Sequence, residues 1–298
     1  MSTGVKVRNY LVDDPVNRDW VKLLLVLEAR GTKGGFATID DRVVFMGGAG
    51  AGGGGASGTS SFAKAATTGH ATKVQGLGGG VCQAELISYE DDGQGVWKAT
   101  DAANGHDGRN EVAAYGLNQL LGGDEVPETV FSPGPDGKPG TSQQFVADGI
   151  TALKYELDNR QDATATFINT HRDQVERIVA LDFMIGNNDR HDQNFLLSES
   201  RGVVAIDHGH ATWRWMNLPG NELLQWANER REAGTGTGST AAKQKGRFAF
   251  SEHNLHAWER ITAGEVERVL ESAGVPMDNA VGAFNRLQYL IETGEMTW

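Results

Sequence analysis

Between Gly47 and Gly58 the chain carries eight glycines in twelve residues. No helix or strand forms at that density. Each glycine loses more backbone freedom on folding than any other residue, and it offers no side chain to a core. The tract therefore divides the sequence into a small segment ahead of it, a linker over 47–61, and everything large behind it. The leading segment, 1–46, reads as a small β appendage, with strand-rich composition at Lys22–Glu28 and Arg42–Met46. No Gly-Lys-Ser/Thr follows the tract, so it is not a P-loop. Glycine makes up 40 of the 298 residues, but prolines number 7 and no Gly-X-Y period runs through the chain, which excludes a collagen.

A second glycine cluster has a different setting. Gly76-Leu77-Gly78-Gly79-Gly80 stands before a strand-like run, Val81–Tyr89, and a turn at Asp91-Asp92-Gly93 leads into a second strand, Gly95–Thr100. The cluster thus opens a β-hairpin whose second strand carries Lys98 between Trp97 and Ala99. A polar loop, 101–108, precedes a helix over Asn110–Leu121. Val112, Tyr115, Gly116 and Leu120 mark one face of that helix, and Gly122-Gly123 ends it. Val126–Phe131 and Gln143–Ala147 read as further strands. The second half is mainly helical. Arg172–Ile185 has Val175, Ile178, Val179 and, unusually, Asp182 on one face. A polar irregular stretch comes next over 186–194, then short strands at Phe195–Leu197 and Gly202–Ile206, a Gly/Ser-rich loop over 234–246, and helices near 264–273 and 278–293. The expectation is an α+β chain with a β-rich N-lobe over 62–145 and a mainly helical C-lobe over 146–298.

Chemistry concentrates in Gly186-Asn187-Asn188-Asp189-Arg190-His191-Asp192-Gln193-Asn194, with Asp207-His208-Gly209 beyond the next hairpin. A carboxylate and an amide five residues apart, and then a second carboxylate, suit metal-assisted phosphoryl transfer. One acid takes the proton of an acceptor hydroxyl, while the amide oxygen and the other acid hold Mg²⁺ against phosphates. The offset from Asp189 to Asn194 matches the D-x-x-x-x-N of kinase catalytic loops, and Asp207-His208-Gly209 fits their D-x-G position. Upstream and in matching order stand the glycine-rich hairpin, Lys98, and Glu111 thirteen residues after it. Singly, Lys98 reads as a solvated strand lysine and Glu111 as an acid suited to a helix N-terminus. The ordered set decides for the chemical reading. Asp182, on an apolar face, reads as a structural acceptor for catalytic-loop amides. His191, His208 and His210 would also suit a metal hydrolase, but that reading leaves Lys98, Glu111 and the glycine hairpin without a role.

The loop Gly186–Asn194 resembles the G-x-x-D-R-H-x-x-N loop of phosphatidylinositol 3-/4-kinase-like proteins and of HipA-type kinases. Val96-Trp97-Lys98, Asn110–Tyr115, Leu121-Gly122, Val126–Val130 and Gln143–Val146 are similar to blocks of small bacterial members. The resemblance spans roughly 70–215. It implies a bilobed protein-kinase-like fold with ATP and Mg²⁺ or Mn²⁺ in the cleft. It implies Gly78, Gly79 and Gly80 over the phosphates, Lys98 on phosphate oxygens with Glu111 as its ion-pair partner, and Gln144, Phe145 and Val146 as a hinge at adenine. It further implies Asp189 as catalytic acid/base assisted by His191, and Asn194 and Asp207 as metal ligands. The sequence departs from the pattern at Val81-Cys82-Gln83, where relatives place serine or asparagine, and at His208, where kinases place phenylalanine.

Charge bears on partners. Thirty-nine acids against 27 bases give −12, which disfavours nucleic acid and anionic membrane surfaces. The acceptor expected is therefore a hydroxyl on a protein or small molecule rather than a lipid. Two other functions stay open: transfer of AMP or activation of a carboxylate by the same fold, and a nucleotide-binding pseudokinase, against which the retained Lys98, Asp189 and Asp207 argue. One cysteine, Cys82, rules out an internal disulfide. It reads as a small buried strand residue, with a redox switch beside the phosphate loop as the alternative. With no secretory leader in Met1–Tyr10 and no apolar run longer than Val21–Leu27, the expected location is the cytoplasm. The oligomeric state is open.

Overall fold

A computed structural model describes residues 60–68, 71–77, 84–89, 93–100, 107–158, 161–214, 221–224, 226–227 and 246–297. The strands expected at 22–28 and 42–46, the linker, the glycines Gly78–Gly80, Cys82 and the loop over 234–245 lie outside the described residues.

The N-terminal part of the described chain is built on a five-stranded antiparallel sheet. Its strands are β1 (Ala71–Gly76), β2 (Ala84–Tyr89), β3 (Gly93–Ala99), β4 (Thr129–Pro133) and β5 (Pro139–Gln144), in the order β1-β2-β3-β5-β4. β3 is the middle strand, paired with β2 on one side and β5 on the other. Alternation along β3 separates packing from chemistry. Trp97 is buried on one face, and Lys98, its neighbour, turns to the other. The Trp97 face packs under helix α1 (Ser61–Thr68), with Phe62, Ala66, Ile87, Tyr89 and Val130 forming a small core. Phe62 meets Tyr89 edge-on, ring centroids 5.9 Å apart. Helix α2 (Gly108–Leu120) packs against β4 and β5 and against helix α7 (Ala263–Ser272).

Two strands sit differently from expectation. β4 begins at Thr129 rather than Val126, and β5 spans Pro139–Gln144 rather than Gln143–Ala147. β1 and α1 are additions to the expected elements. β1 is an edge strand exposed along nearly its whole length, so it shows none of the alternation by which a strand is read. The face of α2 also differs. Asn110, Glu111, Val112, Ala113, Ala114, Leu117 and Asn118 are buried, while Tyr115, Gly116 and Leu120 are only partly so. A helix covered on two sides has no single apolar stripe to betray its inner face.

The C-terminal part is mainly helical. Its centre is α5 (Arg172–Ile185), with the bounds the sequence predicts, and its second half is wholly buried. Around it lie α3 (Ala152–Asp158), α4 (Gln161–Thr170), α6 (Glu252–Trp258), α7 and α8 (Met277–Thr293). Ile178, Leu181, Phe183, Phe195, Leu287 and Leu290 belong to one continuous core, distinct from that under the sheet. A three-stranded sheet, β6 (Ile150–Thr151), β7 (Phe195–Ser198) and β8 (Gly202–Ala205), lies against α5. β9 (Arg247–Ala249) and β10 (Glu295–Thr297) pair beyond it. A sheet-bearing lobe and a helical lobe, each with its own core, make a bilobed α+β fold. Among the described residues no helix is long and apolar enough to cross a membrane.

Candidate active site

Lys98 projects from near the end of β3, the middle strand of the sheet, toward α2. The helix comes close because Gly108 opens it. A Cβ there would stand 2.6 Å from Thr100 Oγ1 and 2.8 Å from Thr141 Cγ2, too close for any side chain. Asp107 caps the helix by accepting the Arg109 N–H. The approach brings Glu111 to Lys98. The ammonium Nζ is 2.9 Å from Glu111 Oε1 and 2.9 Å from Asp207 Oδ1. Burial opposes the charge on Lys98, but the two carboxylates outweigh it and hold its pKa above the ordinary lysine value. The lysine is a fixed cation at the meeting of the two lobes.

Asp207 follows β8. Its φ of 59° is left-handed, a backbone setting that costs energy for any residue with a Cβ and that gathers at functional sites. His208 is fully buried behind it. Its backbone N–H donates to Glu111 Oε2 at 3.0 Å, its Nδ1 stands 3.5 Å from the same oxygen, and neither ring nitrogen makes a hydrogen bond. Burial, aided by the nearby Arg190 charge, pushes the imidazole below its ordinary pKa, against the pull of Glu111 and Asp182.

The loop after α5 is set by Gly186, which ends the helix at φ 64°, where a Cβ would also collide with Arg214 backbone. Asp182, one turn back, organises the loop around its carboxylate. It accepts from Asn187 Nδ2 at 2.9 Å, from Arg190 Nε at 3.0 Å and Nη2 at 2.8 Å, and from Asn221 Nδ2 at 2.9 Å. Arg190 is itself fully buried, and its Nη1 donates to the carbonyls of Asn194 and Ile206. Glu222 accepts the Asp192 N–H at 2.7 Å. The expected acceptor role of Asp182 thus reaches further than loop amides, to a guanidinium that also holds the chain leading into Asp207.

On this frame Asp189 is half-buried. Asn194 Nδ2 donates to the Asp189 carbonyl at 2.7 Å. The β7–β8 hairpin pairs Phe195 with Ala205, and Ile206 N–H donates to the Asn194 carbonyl at 3.1 Å, so Asn194 and Asp207 flank the hairpin mouth. His191 turns its Nδ1 back to accept the Gln193 N–H at 3.2 Å, which leaves the proton on Nε2. The ring makes no hydrogen bond to the Asp189 carboxylate among the described residues. Gln144, Phe145 and Val146 leave the sheet toward the helical lobe. Gln144 N–H donates to Glu128 O at 2.8 Å and Phe145 N–H to Gln94 O at 2.9 Å. Lys98, Glu111 and Asp207 are therefore brought together, as are Asp189 and Asn194. Gly78–Gly80 lie outside the described residues.

The oxygens suit a hard cation. Asn194 bonds Asp189 through its amide nitrogen and not through Oδ1. Asp207 gives one carboxylate oxygen to Lys98 and keeps the other. An amide oxygen and a carboxylate are ligands of the Mg²⁺ and Mn²⁺ kind. Among the described residues no three His, Cys, Asp or Glu side chains gather as a metal set.

Residues 138–224, which hold the strand exit, the loop and Asp207-His208-Gly209, match the family model of phosphatidylinositol 3- and 4-kinase. Over that stretch the chain is similar to the phosphatidylinositol 3- and 4-kinases. The match is confined to under a third of the chain, and Lys98 and Glu111 lie ahead of it. Among solved structures it is similar to a Golgi casein kinase with Mn and ADP bound, at 15% identity over 78% of this chain and 74% of that one, TM-score 0.48. A second structure of the Golgi casein kinase aligns at 13% identity over 78% and 72%, TM-score 0.46. No curated protein matches the sequence.

Some residues of the site are not evident from sequence. Asn110, Asn187, Asn221 and Glu222 carry no pattern that singles them out for a role; Asn110 adjoins Glu111, and that adjacency is the signal it offers. Arg190 stands in the Asp-Arg-His motif, which does not tell that it is buried against Asp182.

Proposed function

We propose that the chain transfers the γ-phosphoryl group of ATP to a hydroxyl, on a protein or small molecule rather than a lipid. The observation that carries this is the three-way contact of Lys98, Glu111 and Asp207, made where the two lobes meet, with the Asp189–Asn194 loop tied to the segment that leads into Asp207. Lys98, held charged between two acids, would bind phosphate oxygens and steady the leaving diphosphate. Asp189 would accept the proton of the acceptor hydroxyl as its oxygen attacks the γ-phosphorus, and ADP would leave with the electrons of the broken P–O bond. His191, with its proton on Nε2, would hydrogen-bond a phosphoryl oxygen. Asn194 and Asp207 would hold Mg²⁺ or Mn²⁺, which when bound neutralises charge on the phosphates. The amides of Gln144 and Phe145 are engaged, and Val146 N–H would be the hinge donor to adenine. The −12 charge supports an acceptor away from anionic lipid surfaces.

Incubation with γ-labelled and, separately, α-labelled ATP, followed by autoradiography and mass spectrometry, tests the reading. Product labelled from the γ-position alone is expected. Label carried only from the α-position would show AMP transfer instead. Asp207→Ala is expected to abolish metal-dependent nucleotide binding, and unchanged binding would remove its metal role.

A further inference from the structure

We propose that Asn110 is a positioning residue that fixes the Asp207 loop in the arrangement suited to a metal ion, with Trp213 as its partner. The inference rests on the kinase reading of the site. Asn110 sits in the first turn of α2, beside Glu111, and is 6% exposed. All its polar reach goes to one segment of the other lobe. Nδ2 donates to Gly209 O at 2.9 Å and to Ala211 O at 3.1 Å, while Oδ1 accepts the Trp213 indole N–H at 2.8 Å. The orientation of the amide is fixed by its surroundings. Turned over, it would set its oxygen against two carbonyls and its NH₂ against an indole donor.

A second observation places the demand for such a clamp. Among the described residues, non-glycine residues with positive φ occur at Asp207 and at Trp213, both at 59°. They stand at the two ends of the segment that Asn110 holds. Left-handed residues with side chains persist where surrounding contacts over-determine them. Here the contacts come from consecutive residues of one helix turn. Glu111 takes the His208 N–H, and Asn110 takes Gly209, Ala211 and Trp213. The Trp213 backbone N–H also donates to Ile185 O at 2.7 Å, and Thr212 Oγ1 donates to Gly186 O at 2.8 Å, which ties the same segment to the end of α5. Without Asn110 the Ala211 carbonyl and the indole N–H lose their partner, Gly209 O keeps the Asp107 N–H at 3.3 Å, and the left-handed setting of Asp207 loses part of what holds it. None of the atoms of Asn110 needs to touch metal or nucleotide for this effect.

The test compares wild type, Asn110→Ser and Trp213→Phe, which removes the indole N–H alone. Two readouts are taken. One is amide hydrogen exchange across 208–213 without metal or nucleotide. The other is calorimetric binding of a non-hydrolysable ATP analogue as a function of Mg²⁺. In Asn110→Ser the 208–213 amides are expected to exchange faster, and half-maximal nucleotide binding is expected to need about tenfold more Mg²⁺, the scale at which supporting residues act on metal sites. Affinity without metal should stay as in wild type, which a general loss of stability would not spare. Trp213→Phe should move both readouts the same way by less. A shift in Asn110→Ser, with or without one in Trp213→Phe, sustains the proposal. Wild-type exchange and Mg²⁺ requirement in Asn110→Ser overturn it; should that variant not fold, the result in Trp213→Phe decides. If wild type itself binds nucleotide without any effect of Mg²⁺, the kinase reading fails first, and that result is distinct from the others.

Discussion

Asp182 and Asp189 lie seven residues apart and do opposite things. Asp182 is wholly buried against the equally buried Arg190, with Asn187 and Asn221 completing its bonds. Removing its charge strands a guanidinium in the core, and an uncompensated buried charge costs about 3–5 kcal/mol. Asp182→Asn keeps the shape and is expected to lower unfolding stability on that scale, read from a urea denaturation curve. An unchanged midpoint would mean that the pair contributes nothing net. Asp189 is half-buried, and its carboxylate receives one long contact, from Asn194 Nδ2 at 3.5 Å. Asp189→Ala should therefore spare the fold and nucleotide binding while slowing transfer by about 10²–10⁴-fold, the range of a lost general base. Loss of binding would place the residue in the structure rather than in the reaction. Asp182 is legible in the sequence because a carboxylate on an apolar helix face must find donors. The burial of its chief donor is not. Arg190 stands in the Asp-Arg-His motif, but an arginine in a polar loop looks solvated until the fold closes over it, and Asn221, which shares the Asp182 carboxylate, lies thirty-one residues further on.

Helix α2 joins the two lobes, and its placement depends on one glycine. Gly108 lies against Thr100 and Thr141, whose short, stiff side chains cannot swing away from an added methyl. Gly108→Ala is expected to lift the start of α2 from the sheet and lengthen the Lys98–Glu111 contact. Nucleotide affinity should fall, while far-UV circular dichroism stays as in wild type. Full affinity would show that the helix can tilt without moving Glu111. Sequence reading serves the elements unequally. The bounds of α5 emerge as predicted because an apolar run ends at a glycine that the left-handed cap requires. The inner face of α2 does not, since burial on two sides spreads its contacts around the helix. β1 and α1 escape because one is an exposed edge and the other an eight-residue helix at the end of the linker tract. The boundaries proposed for the lobes, 62–145 and 146–298, are a reading of where the sheet gives way to helices.

The two lobes meet at Lys98 and Asp207, so the stability of the sheet-bearing lobe, which presents Lys98, bears directly on the site. Its core is the smaller, and it contains a polar atom. Tyr89 is 3% exposed, and its hydroxyl lies 2.5 Å from Ser142 Oγ. Burial raises the phenol above its ordinary pKa of 10.0, against the pull of the Ser142 and Ser132 hydrogen bonds. The sign comes from linkage. With the folded pKa above the unfolded one, the unfolded state loses its proton first as pH rises. The contribution of Tyr89 is thus complete below pH 10.0 and is lost on the alkaline side, by up to about 1.4 kcal/mol per pH unit, until the folded phenol also ionises. Tyr89→Phe removes the ionisation and keeps the ring against Phe62. Urea unfolding of both proteins between about pH 8.5 and pH 11 tests this, since a solvated tyrosine titrates near pH 10. The wild-type protein should lose stability faster than Tyr89→Phe above pH 10.0, while below it their difference stays constant. Parallel curves across the whole range would mean that Tyr89 ionises equally easily in both states, and that the core beneath the sheet admits water.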